Sequence, residues 1–161
     1  MSIQIPNLHT SNRTQVNVRE GATVFIARRK DAAPHAGTFK VKGILQFNPA
    51  TDAYPSGTMK IDVDLNDSVQ AVFTITTVEQ LDTTGKATPT AYASGRCTAD
   101  LGPKQAGLRY WIMFCDNKSP NDKETPDIIS FLIFDRAGKR VAYGTGPVVE
   151  GDDFAVAGTA E

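Results

Sequence analysis

A chain of 161 residues and 17.4 kDa is one domain's worth of polypeptide, long enough to bury roughly 70% of its unfolded surface without staples. Hydrophobic residues at 40% and charged residues at 22% match ordinary globular averages, which excludes disorder and a fibrous repeat. A formal net charge of −1 leaves no overall field to hold nucleic acid or a membrane surface, and no apolar run approaches the ~18 residues needed to span a bilayer.

The start, Met1-Ser2-Ile3-Gln4-Ile5-Pro6, lacks the basic and apolar stretches of a signal peptide. The overall neutrality hides an asymmetry. Residues 1–60 carry eight Lys and Arg against three Asp and Glu, and residues 61–161 carry nine against fifteen. The early basic residues spread over several predicted strands, so they read as a solvated face. Arg28-Arg29-Lys30 is too short for a nucleic-acid patch. His9 and His35, the two histidines, fall in predicted loops and have no third partner for a transition-metal site. Pro34 argues against a helical turn near 30–36.

Periodicity is two nearly everywhere. Thr38-Phe39-Lys40-Val41-Lys42 alternates through Gly43, where a bulge is expected, to Leu45 and Phe47. After the breaker-rich loop Pro49–Gly57, Met59-Lys60-Ile61-Asp62-Val63-Asp64-Leu65 alternates strictly and predicts a strand with one wet face. Asp62 and Asp64 share that wet face. As a pair they are candidates for acid/base chemistry of a hydrolase, or simply charges that discourage edge pairing.

Asp82-Thr83-Thr84-Gly85-Lys86, Gly102–Gly107 and Arg136-Ala137-Gly138-Lys139 close successive hairpins. The strands between them, 107–115 and 127–135, are apolar on both faces. Such strands are expected at the centre of a sheet that is covered on both sides. On the first of them Tyr110, Ile112 and Phe114 share one face, and Trp111, Met113 and Cys115 the other. Met and Cys beside the tryptophan point to a second buried layer. The alternative is an open platform for sugar, built from Trp111 and Tyr92, with Tyr54 and Tyr143 the other rings available. If the second face is not covered by the chain itself, a homodimer would cover it.

Cys97 and Cys115 are expected on neighbouring strands. A turn centred near Gly102–Gly107 places Cys97 opposite about residue 112, and this offset predicts two free thiols. The most oxygen-rich segment is the loop from Asp116 to Asp127. It offers Asp116, Asn117, Asn121, Asp122, Glu124 and Asp127 as ligands for Ca2+, which takes oxygen donors from such side chains. Lys118 and Lys123 oppose a cation, and a polar loop turned by two prolines is the competing reading. Ser94-Gly95 is not flanked as a nucleophile elbow, and Gly144-Thr145-Gly146-Pro147 is too short for a phosphate fingerprint.

The run from Gly57 to Tyr143 also carries a pattern. The small-residue strand Ala91–Ala99 precedes the aromatic strand Tyr110-Trp111-Ile112-Met113-Phe114, which runs into Asp116-Asn117. Asp127–Asp135 and Gly138–Tyr143 follow. This resembles the small β-sandwich module of bacterial secreted and surface proteins that accompanies a C-terminal anchor. The resemblance implies a non-enzymatic, adhesion-like module at the cell surface or outside the cell.

The fold expected from these residues is all-β: a single antiparallel β-sandwich over 1–161, of jelly-roll type in one version, with nine or ten strands and little or no helix. The function expected is a non-catalytic binding or structural module, calcium-stabilised in one version. A lectin-like carbohydrate-binding domain is the alternative, and an acid/base hydrolase comes third. Glycan, protein or a second copy of the chain are the candidate partners, with no nucleic acid and no membrane insertion expected.

Overall fold

The structure is a computed structural model that describes residues 14–26, 37–48, 50–65, 70–84, 89–100, 104–117, 124–151 and 154–157. Both histidines and the segment around Pro34 lie outside the described residues.

Among the described residues nine strands are formed: β1 Thr14–Ile26, β2 Gly37–Phe47, β3 Ser56–Leu65, β4 Gln70–Thr84, β5 Thr90–Asp100, β6 Lys104–Cys115, β7 Ile128–Phe134, β8 Arg140–Gly151 and β9 Ala155–Ala157. Each strand from β1 to β7 pairs antiparallel with its successor, and β8 pairs back onto β1. The sheet therefore closes on itself. The molecule is an eight-stranded up-and-down barrel with one extra strand, and not the β-sandwich that alternation and strand spacing suggested.

The seam is composite. β1 pairs with β2 along its whole length, from Thr14 opposite Phe47 to Ile26 opposite Gly37. Its other edge is shared, with β8 taking Ala22–Val24 and β9 taking Gln15–Asn17. β8 reaches both neighbours by changing partner near Val148. Residues up to Pro147 pair with β7, and Val148, whose N–H donates to the Asp127 carbonyl at 2.8 Å, is the first to pair with β1. Closure removes the free edges that an open sheet would have to protect.

A barrel of eight strands has an interior just wide enough for side chains, and here they fill it. Val16, Val24, Phe39, Leu45, Met59, Ile61, Ile75, Tyr110, Phe114, Ile129, Phe131 and Ile133 are among the buried residues. Phe39 and Phe131 meet edge to face, with ring centroids 4.8 Å apart, and Phe114 meets Phe154 in the same way at 5.5 Å. Small residues make room for them. A Cβ at Gly144 would lie 2.9 Å from a ring carbon of both Phe39 and Phe131.

Irregularities shape the wall. Gly43 (φ +150°) lies so close to β3 that a Cβ there would meet the Thr58 carbonyl, while the expected bulge falls on the facing strand, between Val18 and Ala22. On β4 two register shifts, at Ile75/Thr77 and Val78/Gln80, each insert an extra residue. As a result Thr76 and Thr77, and likewise Glu79 and Gln80, are consecutive exposed residues. The first shift also brings the Thr77 carbonyl over Gly95, where it accepts the Tyr110 hydroxyl at 2.9 Å. The hairpin expected at 136–139 forms as read. The Asp135 Oδ1 accepts the amides of Ala137 and Lys139, and Gly138 turns with φ +81°.

Both cysteines are free thiols. Cys97 pairs with Leu108 rather than residue 112, because β5 and β6 continue closer to their turn, as far as Asp100 opposite Lys104. Burial pushes the Cys97 thiol up from its ordinary 9.0 to about 12. It pushes the Tyr110 phenol up in the same way, with nearby Cys97 and Glu79 adding to the effect.

Candidate functional site

Period-two alternation and register together decide what the outer wall presents. Tyr110, Ile112 and Phe114 point into the barrel, as expected, so Trp111 and Met113 must point out. Trp111 is 64% exposed, which overturns the second buried layer. In a sandwich a central strand can be covered on both sides. In a closed barrel there is one interior, and the outside of every strand is surface.

Three rows cross the strands of this wall. The first holds Asp82, Tyr92, Met113, Ser130 and Thr145, from β4 to β8, each opposite the next. The second holds Gln80, Ser94, Trp111, Leu132 and Tyr143 in the same register. The third runs from Arg96 through Arg109 and Phe134 to Arg140. Adjacent rows are about 6.8 Å apart along the strands, and neighbouring strands about 4.8 Å apart.

The first two rows enclose a groove of about 310 Å³, walled by Tyr92, Trp111, Met113 and Leu132 and edged by Gln80, Asp82, Ser94 and Ser130. Tyr92 is 45% exposed. The Gln80 Nε2 donates to Asp82 Oδ2 at 2.7 Å, which fixes an amide and a carboxylate at one end of the groove. Beside that end, one residue before Gln80 on the same strand, Glu79 is turned outward by the second β4 bulge and holds two guanidiniums. Arg109 approaches at 2.8 Å and Arg96 at 3.6 Å. The Arg140 guanidinium lies 4.2 Å above the centre of the Tyr143 ring, a cation–π contact that keeps the cation at the surface. An indole face with a carboxylate and an amide at the groove's edge can stack a flat apolar ring face while hydrogen-bonding groups at the ring's rim; the guanidiniums form the next row along the strands.

The loop proposed for calcium is used differently where it is described. The Asn117 N–H donates to Asp127 Oδ1 at 2.9 Å and its side-chain amide donates to the Pro126 carbonyl at 3.0 Å. These bonds clasp the two ends of the loop, and Asp127 is buried. Asp116 donates its amide to the Pro89 carbonyl, and its Oδ2 accepts the Val156 amide at 3.4 Å. Glu124 is exposed. Asn121 and Asp122 lie outside the described residues. Among the described residues no three His, Cys, Asp or Glu side chains are grouped to hold a metal ion. Asp62 and Asp64 lie on the outer wall as expected, opposite Lys40 and Thr38, on the far side of the barrel's strand order from Trp111.

Arg109, Arg140, Glu79, Gln80 and Asp82 escaped the sequence reading. Alternation already places Arg109 on the face of Trp111. What was missing was the cross-strand register, above all the β4 bulge that turns two consecutive residues outward. No family model, curated protein or solved structure matches the chain, so the likeness to the bacterial surface module rests on the residues quoted for it.

Proposed function

We propose that this protein is a non-catalytic binding module and that its ligand is a glycan bound in the outer-wall groove at Trp111. The observation that carries this reading is the placement of a 64% exposed tryptophan across a groove from Tyr92, with Asp82, Gln80, Ser94 and Ser130 at its edge. Binding sites of this kind combine apolar surface with a few placed polar groups. A sugar needs that combination: CH-rich ring faces for the indole, and hydroxyls for the carboxylate and amide. The packed interior supports an outer site over a luminal one, because Phe39, Phe131 and Tyr110 occupy the space a ligand would need.

The outer wall also supports a molecule that works in water. Lys40, Lys42, Lys60, Asp62, Asp64 and Arg96 face outward, and the interior is apolar. A membrane-spanning barrel needs the reverse alternation, with an apolar band outside.

Trp111 is the chain's single tryptophan, so its fluorescence reports this site alone. Titration with a panel of neutral and acidic oligosaccharides should perturb that emission for at least one, and Trp111→Ala and Tyr92→Ala should abolish binding. Sugar binding that survives Trp111→Ala would put the site elsewhere. If no oligosaccharide binds, the glycan reading fails. A dimer mass in light scattering that Trp111→Arg converts to a monomer would assign the wall to self-association instead.

A further inference from the structure

Resting on the glycan reading, we propose that the groove selects acidic sugars: chains of uronic-acid type whose carboxylates are taken by Arg109 and Arg140 while one ring stacks on Trp111. Nothing in the groove itself demands a charged ligand. The cations stand in the row beside it.

Arg109 and Trp111 are two residues apart on β6 and share the outer face, so the guanidinium row runs parallel to the ring row at about 6.8 Å. An arginine side chain spans that gap easily from its own backbone. Arg140 stands in the same row two strands further on, about 9.6 Å from Arg109 across β7. An oligosaccharide laid across the strands therefore meets a stacking face first and two successive cations along its flank. The row stays cationic, because Arg96 and Arg109 share the one carboxylate of Glu79 while Arg140 lies over the Tyr143 ring.

Each cation is also held in place. Glu79 orients the Arg109 fork at 2.8 Å, which leaves the rest of the planar guanidinium for a ligand carboxylate, and the Tyr143 ring supports Arg140 at 4.2 Å. Positioned arginines lose little freedom on binding a planar anion, and charge-assisted pairs of this type are about twice as strong as neutral ones. On the other side of the Trp111 row from the arginines, Asp82 beside Gln80 repels anions and accepts hydroxyls. The arginine row on one flank and Asp82 on the other thus fix which edge of an acidic sugar faces each side. A single-stranded nucleic acid shares the flat rings and the anionic flank. The carboxylates of Glu79 and Asp82, three residues apart on β4 at and beside one end of the groove, disfavour its closely spaced phosphates.

The test compares uronic-acid oligosaccharides (oligogalacturonate, oligomannuronate and hyaluronan fragments) with the methyl-esterified oligogalacturonate, and with oligothymidylate, by calorimetry on the full chain. At least one acidic oligomer should bind 10-fold or more tightly than the ester, with an advantage that shrinks as salt is raised. Arg109→Gln and Arg140→Gln should bring the acidic oligomer down to the affinity of the ester, and Trp111→Ala should weaken both. If the neutral and acidic forms bind equally, the selectivity is overturned and the glycan site stands. If no sugar of either kind binds, both fall together, and oligothymidylate binding in that case would mark the wall as a nucleic-acid surface.

Discussion

Gly144→Ala tests barrel closure at a single atom. Gly144 is on β8, directly opposite Phe131 of β7, and Phe39 arrives from β2 through the closed seam. A Cβ at this position would stand 2.9 Å from ring carbons of both phenylalanines and 3.1 Å from a second carbon of Phe39. Neither ring has room to retreat, since both are buried and packed on each other at 4.8 Å. Overpacking of this kind costs about 1–3 kcal/mol. The loss of glycine's freedom in the unfolded chain returns about 0.4–1 kcal/mol. The net expectation is a destabilisation of about 1–2 kcal/mol, or about 2–8 °C in Tm for a chain of this length. Phe39→Leu alone removes ring volume and lowers Tm as well. Combined with Gly144→Ala it frees the space that the new methyl needs, so the double variant should be more stable than the sum predicts, by at least about 0.5 kcal/mol. Urea melts of the four proteins, followed by Trp111 fluorescence and far-UV circular dichroism, measure the cycle. Strict additivity, or an unchanged midpoint for Gly144→Ala, would refute the contact between β2 and β8 side chains and with it this account of the packed interior.

Tyr110→Phe removes the hydroxyl that reaches the Thr77 carbonyl at 2.9 Å and should cost about 1–1.5 kcal/mol in denaturant melts, with no change in sugar binding. Trp111→Ala, on the exposed wall, should shift stability by no more than about 0.5–1 kcal/mol while removing ligand binding; a large loss would mean that the indole is structural. Cys97 keeps its proton in the folded state up to about pH 12, whereas the unfolded thiol releases it near 9. The folded state then holds more protons over that window, so its contribution to stability is present below pH 9 and is lost as pH rises toward 12. Cys97→Ala should flatten the fall of Tm with pH, and a parallel curve would contradict the burial argument. Asp127 Oδ1 is engaged by the Asn117 amide and Asp116 Oδ2 by that of Val156, so melts in EDTA and in millimolar calcium should coincide; a calcium-dependent rise abolished by Asp122→Ala would show that the loop is a metal site.

The strand content and the inward set were legible in the chain because both follow from local alternation. Phe39, Val41 and Leu45, and Tyr110, Ile112 and Phe114, are buried as their spacing implies. Hairpin positions followed from turn residues, as at Asp135–Lys139. The candidate site was legible only in part. Trp111 and Tyr92 were named, but the tryptophan was assigned to a buried layer, and the arginine row was missed. The charge count gave no pointer to that row. The three arginines beside the groove all come from the half of the chain that is acidic overall.

Alternation determined that this protein is antiparallel β and which side chains turn from water, since that preference acts on each strand separately. Whether the sheet stacks in two layers or closes was decided only by the pairing of β1 with both β2 and β8, a contact between residues at opposite ends of the chain. Every strand then has one dry side and one wet side, so closure alone turned Trp111 from a core residue into a surface one. The bulges of β4 and the register of β5–β8 placed carboxylates and guanidiniums around it, and such cross-strand neighbours have no trace in local periodicity.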